Sequence, residues 1–225
     1  MSRVRTVVAV FSVLLALLLA TFRVAAVDYE RMRSVMSQRF GQPGLASLRD
    51  WEALVQPRAA EADTAKLRRV NDFFNRRTRF GDDKVIWSQN DYWATPLETL
   101  GRGAGDCEDF AIGKYFSLLL LGVPDEQLRL IYVQARIGGA SSSITQAHMV
   151  LAWYPEPNAE PLILDNLVGD LLPASRRADL FPVFSFNRQG LWQGVQGPRG
   201  PGGAASLSRW QELLARVKAE GFDGI

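Results

Sequence analysis

The chain has 225 residues, of which 26 are basic and 24 are acidic, and its formal net charge at pH 7 is +2. So small a net charge argues against nucleic acid as a partner, because binding a phosphate backbone needs concentrated positive charge. One cysteine and one histidine exclude an intramolecular disulfide and leave too few ligands for a structural zinc site, which needs about four.

The first 26 residues have the pattern of a secretory signal. Arg3 and Arg5 precede an apolar run at residues 6–22, and the small residues of Val24-Ala25-Ala26 suit cleavage by signal peptidase. The alternative is an uncleaved membrane anchor, since this run is close to the lower limit of about 17 residues for a spanning helix. Both interpretations place the rest of the chain, long enough for one domain with a substantial core, outside the cytoplasm.

Apolar residues at helical spacing predict three helices in the next part of the chain. The first covers residues 28–40 and is ended by Gly41-Gln-Pro-Gly44. Ser47 can cap a second, short helix that continues to residue 55. The third starts at Asp63 or Thr64 and has a single apolar stripe.

Residues 107–121 are apolar on most sides, which is typical of a helix at the centre of a fold. Gly122 and Pro124 end that helix. Strands are predicted after it at residues 128–137, 148–154 and 161–167, and a further hairpin at residues 181–186 and 190–194. Helices followed by mainly local strands predict an α+β domain.

Composition divides the chain into four parts. Residues 1–26 are the export segment, residues 27–196 the main domain, and residues 197–204 a linker rich in glycine and proline. Residues 205–225 form an amphipathic helix that Ser206 or Ser208 can cap.

The only cysteine, the only histidine and one aspartate stand where nucleophilic catalysis needs them. Cys107 lies at a predicted helix start, where free N–H groups and the helix dipole favour a thiolate and can bind an oxyanion. His148 opens a predicted strand and can take the thiol proton. Asp165, on the next strand, can fix the imidazole tautomer. A hairpin centred near residues 156 and 157 would set His148 opposite Asp165.

Each of these three residues also has a structural interpretation. A free cysteine is often a small buried hydrophobe, and a lone histidine in a strand is more often structural than catalytic. Asp165-Asn166 alone also suits a turn at the end of a strand. Their order on a helix and two strands favours the catalytic interpretation for Cys107, His148 and Asp165 together.

Acidic residues surround the candidate nucleophile. Asp106, Glu108 and Asp109 would raise the pKa of the thiol, and a divalent cation on their oxygens would relieve this effect. The alternative is that these acids only cap the helix and complement its dipole. Trp93, upstream of the nucleophile, either lines the cleft or packs in the core.

Four motifs resemble the bacterial transglutaminase-like cysteine peptidases, specifically the periplasmic proteases of the LapG type. In chain order they are Asp91-Tyr-Trp-Ala-Thr-Pro-Leu-Glu-Thr-Leu100, Gly103-Ala-Gly-Asp-Cys-Glu-Asp-Phe-Ala-Ile-Gly-Lys-Tyr115, Ala147-His-Met-Val-Leu151 and Leu164-Asp-Asn166. The resemblance extends from about residue 29 to about residue 192, and the nucleophile motif is its most specific part. The linker and the tail after it depart from the family pattern.

The resemblance implies a papain-like, transglutaminase-like fold at residues 27–196, with the nucleophile's helix packed on an antiparallel sheet. It implies Cys107 as nucleophile, His148 as base and Asp165 as the orienting residue. It also implies Ca²⁺ as cofactor, bound at Asp106 and Glu108.

The same resemblance implies a biological role in the periplasm. The chain would be an endopeptidase that cleaves a large surface adhesin near its N-terminus and so releases cells from a biofilm. It would be inhibited by sequestration on the periplasmic domain of a membrane receptor that senses cyclic-di-GMP inside the cell.

Two other functions would use the same residues. A transglutaminase or acyltransferase shares the chemistry up to the acyl-enzyme and passes the acyl group to an amine instead of water. A non-catalytic exported binding module would keep the three residues only as a vestige. Retention of all three argues against a vestige, and fast alkylation of the thiol near neutral pH would distinguish a nucleophile from a buried thiol.

Overall fold

The structure, a computed structural model, describes residues 27–139, 141–195, 197, 200 and 202–224. The predicted export segment at residues 1–26 and part of the predicted linker at residues 197–204 lie outside the described residues. Within the described ranges, no helix is both long enough and apolar enough to cross a membrane. The interpretations of those two segments therefore stay predictions.

The N-terminal helix, α1 (Tyr29–Leu54), contains both helices predicted for this region, joined by a kink at Gly41. Gly41 has a φ of 61° and a ψ of −152°, a conformation that essentially only glycine adopts. The second half of α1 begins before residue 47, so the predicted cap at Ser47 is wrong. The Ser47 hydroxyl instead donates to the carbonyl of Pro43. Proline is tolerated at position 43 because it lies in the first turn after the kink.

Helix α2 (Asp63–Arg77) begins at the predicted residue. The segment between α2 and the nucleophile contains elements that the sequence patterns did not reveal. They are the parallel strands β1 (Arg79–Phe80) and β2 (Ala104–Gly105) and the short helices α3 (Asp83–Ile86) and α4 (Pro96–Arg102). Helix α4 does carry a start signal, because Thr95 and Glu98 bond each other's backbone N–H groups. The pairing of β1 with β2 places α3 beside the residues that precede Cys107.

Helix α5 (Cys107–Leu120) carries the candidate nucleophile and is buried along most of its length, as its apolar sequence predicts. It packs against an antiparallel sheet that has six strands in the described part of the chain. These are β3 (Leu128–Arg136), β4 (Thr145–Trp153), β5 (Leu162–Leu164), β6 (Leu172–Pro173), β7 (Leu180–Phe186) and β8 (Leu191–Gln193). Their order across the sheet is β6-β5-β4-β3-β7-β8.

The two faces of the sheet have different partners. Leu151 and Trp153 on β4 belong to the main core with α5, whereas Val150 and Ala152 belong to a second, smaller apolar cluster. This alternation follows from the two-residue period of a strand, and it makes the helix-facing side the larger core. The predicted α+β fold, with the nucleophile's helix packed on an antiparallel sheet, is confirmed.

All the predicted strands are present, with shifted ends. Strand β4 begins at Thr145, so His148 lies inside it and does not open it. Strand β5 ends at Leu164, so Asp165 lies just beyond the strand that was expected to contain it. The predicted hairpin forms β7 and β8, and β7 pairs with β3 across the sheet.

The C-terminal helix, α6 (Ser208–Ala219), packs into the main core beside α5. Its Trp210 ring lies 5.8 Å from the Tyr115 ring and 5.2 Å from the Phe186 ring, centroid to centroid. The helix begins at Ser208, but the predicted serine cap is wrong: no side chain caps α6, and the Ser206 hydroxyl bonds a carbonyl in the preceding 3-10 turn. Burial of Trp210 anchors this end of the chain.

Candidate active site

Cys107 lies at the first residue of α5, directly after β2. Strand β2 is held by β1 through backbone bonds that include Gly81 N–H to the Gly105 carbonyl, at 3.0 Å. A Cβ on Gly105 would lie only 2.6 Å from the Cβ of Asp109, so only glycine fits this approach. The entry into α5, and with it the position of the thiol, is therefore fixed by backbone contacts.

The thiol of Cys107 is surrounded by polar atoms of α5 and β4. Its sulfur lies 2.7 Å from Oε2 of Glu108, to which it donates, and the backbone N–H of Met149 also bonds the sulfur. Burial raises the pKa of the Cys107 thiol, and the carboxylates of Glu108 and Asp106 raise it further, against the smaller effect of the Met149 N–H. In this arrangement the thiol keeps its proton.

His148 and Asp165 form a buried pair. Nε2 of His148 lies 2.8 Å from Oδ1 of Asp165, and the two residues are 2% and 1% exposed. His148 directly precedes Met149, whose N–H reaches the sulfur of Cys107. The structure therefore brings the three predicted catalytic residues to one region, although the thiol proton is directed to Glu108 here.

The register that brings His148 and Asp165 together differs from the predicted one. In the structure Leu151 pairs with Leu164. This register is shifted by two residues from the one that would set His148 directly opposite Asp165. The two side chains meet across a diagonal of the sheet, beyond the end of β5. Asp165 is held there because its Oδ1 also accepts from the Leu167 N–H, at 3.0 Å.

Arg177 holds the other carboxylate oxygen of Asp165. Its Nη2 donates to Oδ2 of Asp165 at 2.7 Å, and its Nε donates to Asp179 at 3.0 Å. The backbone carbonyl of Asp165 accepts from Nδ2 of Asn75 on α2, also at 2.7 Å. No sequence motif marks Arg177 or Asn75, so only the tertiary fold reveals that they support Asp165.

Asp165 is ionised at neutral pH despite its burial. Burial opposes ionisation, but hydrogen bonds from His148, the Leu167 N–H and Arg177 outweigh it and lower the pKa of Asp165 to about 2. An ionised carboxylate only accepts hydrogen bonds, which assigns the proton of a neutral His148 ring to Nε2. Nδ1 is then the nitrogen that can accept a proton from a nucleophile.

Asp83 joins two acids of the nucleophile motif in a cluster. One carboxylate oxygen from each of Asp83, Asp106 and Asp109 lies within 4.8 Å of the other two. Asp109 accepts from the Ala94 N–H at 2.8 Å and from the Asp106 N–H at 3.3 Å, so it does cap the start of α5. In the described part of the chain, Oδ1 of Asp83 and Oδ1 of Asp106 are buried without a hydrogen-bond partner.

This acidic cluster, Asp83, Asp106 and Asp109, is unfavourable without a counter-charge. Burial, followed by the charges of Glu108 and Asp109, raises the pKa of Asp106 to about 10. Burial also raises the pKa values of Asp83 and Asp109. Closely spaced carboxylate oxygens with two unpartnered members are the hard donors that Ca²⁺ prefers, so the residues present fit this ion.

Glu108 occupies a different place from the cluster. One of its oxygens lies within 4.8 Å of both Asp106 and the sulfur of Cys107. Asp106 therefore belongs to both groups, whereas Glu108 faces the thiol. Asp83 escapes sequence reasoning because it lies far from Cys107 in the chain and reaches it only through the pairing of β1 with β2.

Trp93 packs in the core and is 9% exposed. Its ring stacks on Phe186 with the centroids 5.6 Å apart. Its carbonyl accepts from Nη2 of Arg216 on α6 at 2.6 Å, and Nη1 of Arg216 bonds the Tyr92 hydroxyl and Glu98. Helix α6 thereby holds the segment that precedes the nucleophile.

Known proteins resemble the chain over nearly all of this architecture. The family model of the bacterial transglutaminase-like cysteine proteinases matches residues 49–196. The chain belongs to this family. EGTA-treated LapG of Legionella pneumophila is 37% identical with a TM-score of 0.72, over 86% of this chain and 99% of that one. Calcium-bound LapG of the same organism is 39% identical with a TM-score of 0.68, over 83% and 97%. A search of curated proteins gave no match.

Membership of the family makes the chain a cysteine peptidase with a transglutaminase-like fold, as the motifs around Cys107 predict. The alignment covers 99% of the solved LapG chain, so the likeness applies to nearly all of that chain. The chain contains a single cysteine, so the nucleophile of a cysteine peptidase can only be Cys107.

Lys114 is a buried cation in this peptidase, on α5 two turns after Cys107. Its Nζ lies 5.8 Å from the centroid of the Phe110 ring. Burial lowers the pKa of Lys114 to about 7, and the charge of Asp165 only partly opposes this. The amine therefore loses its proton on folding at mildly alkaline pH, which links stability to pH.

We expect Lys114→Met to remove a pH dependence of stability. The unfolded chain keeps this proton up to about pH 10.4, so between about pH 7 and about pH 10 the unfolded state binds more protons than the folded state. The wild-type free energy of unfolding should therefore rise by up to about 1.4 kcal/mol per pH unit relative to the variant. Urea unfolding across this pH range measures the difference.

The control for this experiment is Lys218→Met, which changes an exposed lysine on α6. It should keep the wild-type dependence on pH. Equal slopes for wild type and Lys114→Met would show that Lys114 is protonated in the folded protein throughout the range.

Proposed function

We propose that this peptidase is a calcium-dependent endopeptidase of the periplasm that cleaves a large surface adhesin near its N-terminus. Cleavage releases cells from a biofilm, and a membrane receptor that senses cyclic-di-GMP inhibits the enzyme by sequestering it on its periplasmic domain. The observation that carries the proposal is the 37% identity to LapG over 99% of its solved chain. The LapG-type motifs around Cys107, His148 and Asp165 imply this substrate and this receptor.

In this proposal Cys107, His148 and Asp165 divide cleavage into two half-reactions. Nδ1 of His148 takes the thiol proton, and the sulfur of Cys107 attacks the scissile carbonyl carbon to form a C–S bond and an oxyanion. Backbone N–H groups at the start of α5 donate to this oxyanion. His148 returns the proton to the leaving amine as the C–N bond breaks, and water then hydrolyses the thioester and restores the thiol.

Asp165 and Arg177 act on this chemistry through the imidazole. The carboxylate of Asp165 accepts from Nε2 and favours the positive charge that His148 carries between the two proton transfers. Arg177 keeps Oδ2 of Asp165 occupied at 2.7 Å, so that Oδ1 stays directed at the ring. Arg177 is therefore a positioning residue.

The acidic cluster would hold the calcium ion. Asp83, Asp106 and Asp109 supply oxygens, two of them without another partner, and Glu108 lies at the edge of the cluster beside the sulfur. When bound, the ion supplies positive charge that offsets these carboxylates and lowers the pKa of the thiol. LapG of Legionella pneumophila has been solved both calcium-bound and after EGTA treatment, which supports the same ion here.

We expect calcium to raise the melting temperature and EGTA to lower it. An ion that binds only the folded state, at about 100 times its Kd, stabilises that state by about 2.7 kcal/mol. For a domain of this size the shift is roughly 5–10 °C. Magnesium should do much less, because it demands a tighter octahedral site. Thermal unfolding with CaCl2, MgCl2 and EGTA measures this.

Asp83→Asn provides the sharpest variant for the calcium prediction. Removing one buried charge should raise the melting temperature in EGTA above that of wild type and abolish most of the rise that calcium causes. The matched control is Asp82→Asn, which changes the adjacent, exposed carboxylate and should respond to calcium as wild type does. If neither EGTA nor calcium changes the melting temperature of wild type, the acids are helix-capping residues only.

Export is the part of the proposal that depends on the first 26 residues. The Val24-Ala25-Ala26 site leads us to expect a periplasmic protein that begins at Val27. Cell fractionation with N-terminal sequencing tests this. A membrane-bound protein that still begins near Met1 would support the anchor, and a cytosolic protein would contradict export.

The substrate is tested by incubating residues 27–225 with the N-terminal region of a large adhesin from the same organism, in calcium or in EGTA. Two fragments whose masses sum to the substrate plus one water identify hydrolysis. Fragments that instead carry an added amine identify the transferase alternative. If the adhesin stays intact in calcium with wild type, as it does with Cys107→Ala, the proposed substrate is contradicted.

A further inference from the structure

Arg216, on the C-terminal helix α6, bonds a single peptide group in the segment that precedes the nucleophile. Its Nη2 donates to the carbonyl of Trp93 at 2.6 Å. The N–H of the same peptide group, which belongs to Ala94, donates to Oδ1 of Asp109 at 2.8 Å. The guanidinium of Arg216 and the carboxylate of Asp109 are therefore joined through the two ends of one peptide group.

This peptide group transmits position from one of its ends to the other. It is planar and trans, so its carbonyl and its N–H point in opposite directions and turn together. A positive charge on the carbonyl also polarises the group and strengthens the hydrogen bond that its N–H donates. Arg216 therefore fixes both the direction and the strength of the bond that holds Asp109.

The same segment holds a second member of the acidic cluster. The backbone N–H of Tyr92 donates to Oδ2 of Asp83. Nη1 of Arg216 donates to the Tyr92 hydroxyl at 2.6 Å, and the guanidinium lies 4.6 Å from the centroid of the Tyr92 ring. Arg216 thus contacts both residues that lead to the bonds with Asp83 and Asp109, one through its side chain and one through its backbone.

The charge of Arg216 is matched by a buried acid. Its Nη1 also bonds Oε2 of Glu98, which is 1% exposed. Arg39 on α1 bonds the other oxygen of Glu98, so this carboxylate fixes two guanidinium groups in place. Because Arg216 touches a carboxylate, its charge adds little repulsion to a cation at the acidic cluster. Its effect on such a cation is mainly one of geometry.

We propose that Arg216 is a positioning residue of the cation site: through the peptide group of Trp93 and Ala94 it holds the acidic cluster in the arrangement that binds calcium. Replacing a residue that orients metal ligands typically costs about 10–100-fold in metal affinity. Helix α6 lies beyond residues 49–196, which the family model matches. A part of the chain outside that match therefore sets the calcium affinity. This inference rests on the calcium dependence proposed above.

The test measures the Kd for calcium by titrating CaCl2 into residues 27–225 in a calorimeter. Arg216→Met keeps much of the length of the side chain but removes its donors, and it should raise the Kd at least about tenfold. Arg216→Lys keeps the charge but lacks the planar fork that bonds Glu98 and the Trp93 carbonyl together. This milder variant, which protects the fold, should raise the Kd in the same direction by less. Circular dichroism checks that each variant is folded.

Arg39→Met is the matched control. Arg39 bonds Glu98 and Glu220, and within the described part of the chain it bonds no backbone group of residues 92–94. Arg39→Met should lower the melting temperature, as Arg216→Met does, yet keep the wild-type Kd for calcium. A role of Arg216 in stability alone would not separate these two variants.

The amide proton of Ala94 reports the link between Arg216 and Asp109 without calcium. In EGTA, its NMR signal should move upfield in Arg216→Met, because the hydrogen bond to Asp109 weakens. In Arg39→Met the signal should stay close to its wild-type position.

Three results would overturn the proposal. If Arg216→Met and Arg216→Lys both bind calcium as tightly as wild type, Arg216 does not position the site, while the calcium dependence stands. If Arg39→Met loses as much affinity as Arg216→Met, the stability of the buried charges, rather than the peptide link, determines the Kd. If wild type itself binds no calcium, the calcium dependence proposed above fails, and the role of Arg216 fails with it.

Discussion

Replacing Cys107 by alanine should abolish peptide-bond cleavage and leave the fold intact. The chain has no second thiol, and removal of a catalytic nucleophile in other enzymes costs about 10⁶ in rate. The thiol donates one hydrogen bond, to Glu108, and accepts one weak bond from the Met149 N–H, so its loss should affect stability little. Cleavage of the adhesin fragment by wild type and variant, measured at equal concentrations in calcium, checks the rate.

Cys107→Ser is the companion to this variant, because it nearly keeps the size of the side chain but replaces the thiol by a hydroxyl, a much weaker nucleophile. It should be nearly as inactive as Cys107→Ala. Both should keep the wild-type circular dichroism spectrum and the rise in melting temperature caused by calcium. Wild-type turnover by either variant would remove Cys107 from the mechanism.

Asp165→Asn should lower the cleavage rate by about 10²–10⁴ in a folded protein, by analogy with triads in which the orienting acid is changed. The asparagine cannot stabilise the imidazolium, and its amide can donate to Nε2, which would leave the wrong ring nitrogen to accept the thiol proton. The measurement is kcat/KM for the adhesin fragment, with the amount of folded protein checked by thermal unfolding.

Asp179→Asn is the matched control for this variant. Asp179 also binds Arg177 but makes no hydrogen bond to His148, so its loss should change kcat/KM by less than about tenfold. If Asp179→Asn lowers kcat/KM as much as Asp165→Asn does, the surroundings of Arg177, rather than the contact of Asp165 with His148, determine the rate.

The sequence predicts the central parts of this fold because each has a strong local pattern. The apolar run from Cys107 identifies α5, and the three strands after it have recognisable boundaries in glycine and proline. The order of thiol, imidazole and carboxylate on those elements indicates the catalytic residues. These are local properties that a single chain records directly.

The remainder depends on contacts that no local pattern contains. Asp83 joins the acidic cluster only because β1 pairs with β2, strands of two residues each. Arg177 reaches Asp165 from the end of a 3-10 turn after β6. Asp165 lies just beyond the end of β5, and the other partner of Arg177, Asp179, lies just before the start of β7. The register of β4 on β5 differs by two residues from the predicted one, because the composition of the turn does not fix its centre.

The C-terminal helix illustrates the same limit. Its amphipathic pattern predicts a helix, yet the pattern does not say which surface the apolar side covers. In the structure Trp210 enters the core beside Tyr115, and Arg216 bonds the carbonyl of Trp93. The tail therefore contributes to the position of the segment that leads to the nucleophile, an effect visible only in three dimensions.

The central claim is that the pair of His148 and Asp165 activates the single thiol of this peptidase. Its most direct test is the rate at which iodoacetamide alkylates Cys107 as a function of pH, in calcium, followed by intact mass. Wild type should react near pH 6–7 at least about tenfold faster than His148→Ala. The rate of the variant should rise only at or above the pKa of about 8.5 of a free thiol, because burial raises the pKa of Cys107. Identical rates for the two proteins across the pH range would contradict activation of Cys107 by His148.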